Sequence, residues 1–287
     1  MMKLTYPATA AFALLLVSLP AAFASADVNE IVAQFPAPDA ATASQLFDAL
    51  LDEGEPAVQV LCDQLVPLGG GDDNGPRYAL TGLARYVSTG ETRKEQDLVE
   101  EALLEALEEE EDAEVKTFLL RQLQQCGTND TASEIGDLLL DEAVASHAIL
   151  ALDAIGTSKA KKVMTKALKS TTGLTQLRLL SALADNGRNR TAVGIVESRL
   201  EAMPDANEYV QLLSLAVAFK GDKAHEDLIA AMDREEPRCR KAAFSHAAPM
   251  MDKYAVRKWR AKINDDETPD EAKREIGTLL AAFEANE

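Results

Sequence analysis

The feature that most restricts this chain is a glycine that returns at a near-constant interval behind the same pair of apolar residues. Leu120 and Leu123 stand seven and four places before Gly127, Ile149 and Leu152 before Gly156, and Leu180 and Leu183 before Gly187. A looser copy has Leu212 and Leu215 ahead of Gly221, so the glycines are spaced by 29, 31 and 34 residues. Glycine adopts a positive φ without steric cost, which suits the residue that closes a helix. Each copy therefore reads as a helix ended by its glycine.

After each glycine come a polar turn and a second stretch with apolar residues three and four apart. The stripes are Ile135, Leu138 and Leu139; Ala160, Val163, Ala167 and Leu168; Val193, Val196 and Leu200; and Leu228, Ile229 and Met232. This spacing is helical, and no convincing alternation of period two occurs. The unit is a helix, a tight turn and an antiparallel helix. One such hairpin cannot bury its own apolar face, whereas stacked hairpins can, in a solenoid stabilised by nearest neighbours. The expected fold is all-α, a right-handed α-solenoid of about seven helical hairpins at 39–67, 74–110, 111–140, 142–170, 173–202, 205–233 and 235–264. A C-terminal capping helix, Thr268 to Phe283, would close the end. Two segments break the rhythm. The glycine-rich loop from Pro67 to Pro76 reads as a flexible connector. The helix from Glu91 is longer than its counterparts and ends in Glu108-Glu109-Glu110-Glu111-Asp112, where Glu111 and Asp112 also suit the start of the next helix.

The segments Lys116–Gly127, Gly75–Ala84 and Ala151–Gly156 resemble the HEAT-like repeat proteins exported by planctomycetes and related bacteria, over most of 70–235. In that family similar regions can precede a sandwich domain of the 3-keto-disaccharide hydrolase type. The resemblance therefore implies, as an alternative role, an accessory subunit of an exported carbohydrate-processing enzyme. No such domain is expected here, because the sequence reaches Glu287 directly after the capping helix. HEAT-like repeats also occur in phycobilin lyases, but no pocket motif supports that reading.

The first residues read as a signal peptide at 1–26, with Lys3, an apolar run from Ala10 to Val17, and a small-x-small site at Ala24-Ser25-Ala26. The run is shorter than the roughly 20 apolar residues that span a bilayer. The repeat domain would occupy 27–287, in a protein exported to the periplasm or secreted. Without the leader, 28 basic and 48 acidic residues leave a net charge of −20. This excess argues against nucleic acid or an anionic membrane as a general partner, and no second apolar run offers a stable anchor. The charge is uneven. Glu91 to Glu142 holds 17 acidic and 4 basic residues, and Arg234 to Lys262 holds 9 basic and 3 acidic.

Reactive chemistry is sparse. His147, His225 and His246 fall in different repeats, at a pitch of about 10 Å per repeat, and read as polar surface residues. Gly69-Gly70-Gly71 lacks the lysine of a phosphate loop, and Asp72-Asp73-Asn74 lacks the later glutamate of a calcium loop. Cys62, Cys126 and Cys239 read as buried free thiols, with one long-range disulfide as the alternative. No catalytic, cofactor or metal residue is assigned and no cofactor is expected. The resulting expectation is a non-catalytic protein-binding scaffold. Its second helices would line a concave surface and present Glu134, Asp137, Lys162, Lys166, Glu197 and Asp227 to a protein partner. The basic run with Arg257, Lys258, Trp259 and Arg260 reads first as a solvated terminal hairpin with Trp259 packed under the cap, and as the alternative a separate docking patch made of these four residues.

Overall fold

The computed structural model describes residues 28–90, 93–185 and 189–285, and among them every regular element is helical. Helices α1 (Ala40–Glu53) and α2 (Glu55–Asp63) are followed by α3 (Asn74–Thr89) and α4 (Arg93–Glu109), then α5 (Ala113–Cys126) and α6 (Asn129–Glu134). Next come α7 (Ala145–Ile155) and α8 (Ser158–Ala167), α9 (Gly173–Ala184) and α10 (Arg190–Glu201), and α11 (Ala206–Lys220) and α12 (His225–Ala230). The chain ends with α13 (Pro237–Ala247), α14 (Lys253–Ile263) and α15 (Asp270–Glu284). The 1–26 leader, Gly187, and Glu91 lie outside the described residues.

These fifteen helices pack together in two rows. Each odd-numbered helix touches the next odd one, from α1 to α15, while α2, α4, α6 and α8 form a second row beside them. The odd row carries the core. Leu80, Leu83, Leu119, Leu120, Leu123, Leu152, Leu179, Leu180 and Leu212 are all fully or almost fully buried. Burying one such side chain stabilises by about 1.5–3 kcal/mol, so each helix of the row depends on its two neighbours. Four of the side-chain contacts between helices fall near the same interval, while others span 23 to 46 residues. Thr117 meets His147, Ser146 meets Arg178, Ser214 meets His246 and Glu226 meets Lys258, at separations of 30 or 32 residues.

Arginines staple the turns to the rows. Arg77 donates to both oxygens of Glu114 at 2.8 Å, to Asp73 at 2.6 Å and to the Val66 carbonyl at 2.8 Å, with its guanidinium over the Phe118 ring. Arg234 donates to Glu236 and to the Pro204 carbonyl and lies over Tyr209. Arg240 donates to the carbonyls of Arg234 and Glu235 and pairs with Glu271 and Glu275. Such planar, bidentate groups hold several acceptors in fixed geometry.

Three local expectations need correction. Gly156 and Gly221 do have positive φ, +62° and +55°, but Gly127 has φ −66° and extended ψ. Its need for glycine is one of space. A Cβ there would collide with the Leu123 carbonyl and come within 2.8 Å of Thr131 Oγ1 and 3.1 Å of Ile155 Cδ1. Second, two of the expected second helices are short. α6 has six residues and gives way to a 3-10 turn at Asp137–Leu140, and α12 has six residues between 3-10 turns at Gly221–Ala224 and Ala231–Asp233. Third, the glycine-rich connector is tied at its base, because Asp73 Oδ2 accepts from the Val66 amide at 3.0 Å as well as from Arg77. Asp112 caps α5 as expected, accepting from the amides of Glu114 and Val115. The three cysteines are buried free thiols. Burial, with Asp63 and Glu100 nearby, pushes Cys62 and Cys126 up to about 12, which leaves them unreactive at neutral pH.

Two tests follow from this packing. Gly127→Ala should lower stability by about 1–3 kcal/mol through overpacking, read as a shifted urea midpoint with unchanged slope; a wild-type midpoint would refute the close approach. Burial works against the charge of Asp73, but the Val66 amide and Arg77 outweigh it and hold the carboxyl below its ordinary 3.8. Its contribution is therefore complete above pH 3.8 and is lost as pH falls through the lowered folded value. Acid unfolding of Asp73→Asn should lack this component, and the Val66 amide should exchange faster in the variant at neutral pH.

Candidate binding surface

A large concavity follows from the second row. Helices α2, α4 and α6 pack side by side, and the long α4 carries acidic residues at helical spacing on the side turned away from the odd row. The result is a groove of about 970 Å³. Nine carboxylates line it, among them Glu55, Glu101, Glu105, Glu108, Glu134 and Asp137, against a single ammonium from Lys116. Leu104, Leu107, Ile135 and Leu138 supply apolar patches. The two sequence-predicted acids, Glu134 and Asp137, are thus brought together with acids from α2 and α4 that were not singled out. The missed signal is in α4, whose acidic residues face one side when numbered along a helix.

Glu100 belongs to the groove wall but has a structural task. It is 3% exposed, and its Oε1 accepts from the amide and hydroxyl of Thr128 and from the amide and hydroxyl of Thr131. One buried oxygen therefore satisfies the start of α6, where helix amides lack intrahelical partners, and links it to α4. Among the described residues, no group of three or more His, Cys, Asp or Glu side chains is placed to hold a metal ion.

The other predicted contacts separate into different surroundings. Lys162 and Lys166 lie exposed on α8, in a cleft of about 460 Å³ toward the start of α10. Glu197 and Asp227 are joined by Lys220, whose Nζ lies 2.8 Å from one and 2.7 Å from the other. Burial works against the Lys220 charge, but the two carboxylates outweigh it and hold the ammonium above the ordinary lysine range. That bridge clamps α10, α11 and α12, so these two acids serve the fold.

At the C-terminal hairpin the structure places Trp259 in the core, with no exposed surface. Its Nε1 donates to His225 Nδ1 at 3.1 Å, and His225 Nε2 lies 3.2 Å from the Met250 carbonyl. The indole N–H requires an acceptor at Nδ1, so His225 carries its proton on Nε2 and donates it to Met250. The expectation of surface histidines fails here: His225 is buried because it satisfies the tryptophan. Arg257 is exposed, whereas Lys258 pairs with Glu226 and Arg260 with Glu284. The basic run is largely neutralised across the row by acids distant in sequence. His246 lies 3.0 Å from Ser214, on α13 and α11, and no carboxylate among the described residues orients the ring.

A scan against protein-family models finds no match, and no curated protein matches. Two solved structures of engineered proteins show a weak likeness. One is 17% identical over 88% of this chain and 82% of its own, with a TM-score of 0.42. The other is 18% identical over 90% of this chain and 97% of its own, with a TM-score of 0.22. Nothing about fold or function is carried over from either. No described helix is long and apolar enough to cross a membrane.

Glu100→Ala should strip acceptors from two amides and two hydroxyls, at a cost of about 1–3 kcal/mol for each buried donor left unpaired. Thermal unfolding would show the loss, and faster exchange at the Thr128 and Thr131 amides would locate it. Unchanged exchange there would refute the capping role.

Proposed function

We propose that this chain is a non-catalytic scaffold that binds a protein partner through the acidic groove of its second row. In this reading residues 27–287 form a HEAT-like, right-handed α-solenoid of about seven hairpins capped by α15, exported after removal of the leader. The recurrence of side-chain contacts at 30 or 32 residues supports the repeat, since stacked equivalent units meet once per period. The observation that carries the binding role is the groove itself. A lengthy concavity with apolar patches and a rim of carboxylates complements a basic, amphipathic segment, which would bury its apolar side while its cations meet the rim. The use of His225 and of the buried thiols in packing supports a non-catalytic reading. No observation favours the accessory-subunit alternative.

Charge reversal tests this. Glu101→Lys, Glu134→Lys and Asp137→Lys combined should weaken binding of a labelled Leu/Lys amphipathic peptide by about tenfold or more and flatten its salt dependence. Fluorescence anisotropy against salt would measure both, with circular dichroism confirming the fold. Unchanged affinity in the triple variant would overturn the groove as the site. Affinity capture from periplasm or medium would then supply the natural partner.

A further inference from the structure

The second row changes sign beyond the acidic groove. Residues 158–170, α8 and the turn after it, hold five lysines and no acid in a chain of net charge −19. Ser158, Lys161, Lys162, Thr165, Lys166 and Lys169 of α8 and the turn after it line the cleft with Thr191 of α10. None of these four ammonium groups belongs to an ion pair among the described residues, whereas Lys220, Lys258 and Lys262 each do. Of the four, Lys161 is within electrostatic reach of Asp153, while Lys162, Lys166 and Lys169 enter no ion pair among the described residues, in a protein where acids are abundant. The first turn of α8 also carries no acid, although the positive end of a helix favours one. Lysines crowded at that end repel each other and the dipole. The cleft lies between α8 and the start of α10, where Asn189 donates to Thr165 Oγ1 at 2.9 Å and α10 then packs on α11.

We infer that this cleft is a second binding site, independent of the acidic groove, and that it takes an acidic polypeptide segment. The lining has ammonium groups and hydroxyls but no aromatic ring and no arginine. Bases would have nothing to stack on, and phosphates would lack the planar fork that grips them bidentately. A longer polyanion would also run into the neighbouring carboxylates of α6. Lys161 to Lys166 spans about 7–8 Å along α8, the length of about two extended residues, and Lys169 lies in the turn just beyond. A short run of Asp and Glu fits, each carboxylate meeting one ammonium with a hydroxyl beside it.

The test uses the full chain and a fluorescein-labelled hexaglutamate peptide, followed by anisotropy in low and then rising salt. Saturable binding that weakens with salt is expected. Lys162→Gln with Lys166→Gln should lower affinity about tenfold, as expected for two partly exposed pairs, and Lys161→Gln with Lys169→Gln should act in the same direction. Lys94→Gln with Lys241→Gln removes the same charge elsewhere and should leave affinity within about twofold. An equal loss in that control, or no saturable binding, would overturn the site. Tighter binding of a thymidine hexanucleotide or a heparin tetrasaccharide would overturn the polypeptide assignment. So would a dimer of the chain that the Lys162/Lys166 variant dissolves, which would give the cleft to a second copy. Failure of the acidic-groove variants leaves this result unaffected, because the two probes carry opposite charge.

Discussion

Leu80, Leu83, Leu119, Leu120, Leu123 and Leu152 are buried between successive odd-numbered helices, and every other feature of the molecule is arranged around that contact. A single amphipathic helix of 11 to 16 residues, like those of this row, is marginal in water. It becomes stable when its stripe is hidden on both flanks by helices of the same kind. That requirement dictates the order of packing, α1 on α3, α3 on α5 and onward to α15, and leaves the second row free to vary. α6 and α12 shrink to six residues without breaking the chain of contacts because the odd row carries the burden.

The freedom of the second row explains where charge collects. The odd row must be apolar on two sides, so it has little room for unpaired charge. On α4 and α6 the side facing away from the core collects carboxylates, and on α8 it collects lysines. Elsewhere the protein pairs its charges closely, as with Arg77 and Glu114, or with Lys220, Glu197 and Asp227. The contrast between paired and unpaired regions distinguishes a surface that holds the fold together from one open to another molecule. A partner that bound both regions would need a basic part and an acidic part in the corresponding order.

Much of the helical organisation was legible beforehand. The three-and-four spacing located the helices, and the polar turns separated them, because both depend on local geometry that a few neighbouring residues settle. Reading the glycines went wrong at Gly127, since a positive φ and a lack of space for Cβ select the same residue for different reasons. Only the second depends on Thr131 and Ile155, which belong to the following helices. The surface was read less well. Lys162, Lys166, Glu134 and Asp137 lie exposed, whereas Glu197 and Asp227 are clamped by Lys220, and Trp259 packs inward as the hairpin reading expects, against His225, which that reading does not name as its partner. Each of these partners lies between seven and 34 residues away, so a local reading of the chain does not show them.

By itself, then, the sequence determined an all-helical chain with a near-regular internal period and a strong acidic excess. These follow from propensity, apolar spacing and composition, which are properties of short stretches and of totals. The tertiary structure alone decided which charges are spent on one another and which face solvent. That outcome depends on which helices become neighbours, and ion pairing falls off within a few ångströms, so it is settled only once the rows have packed.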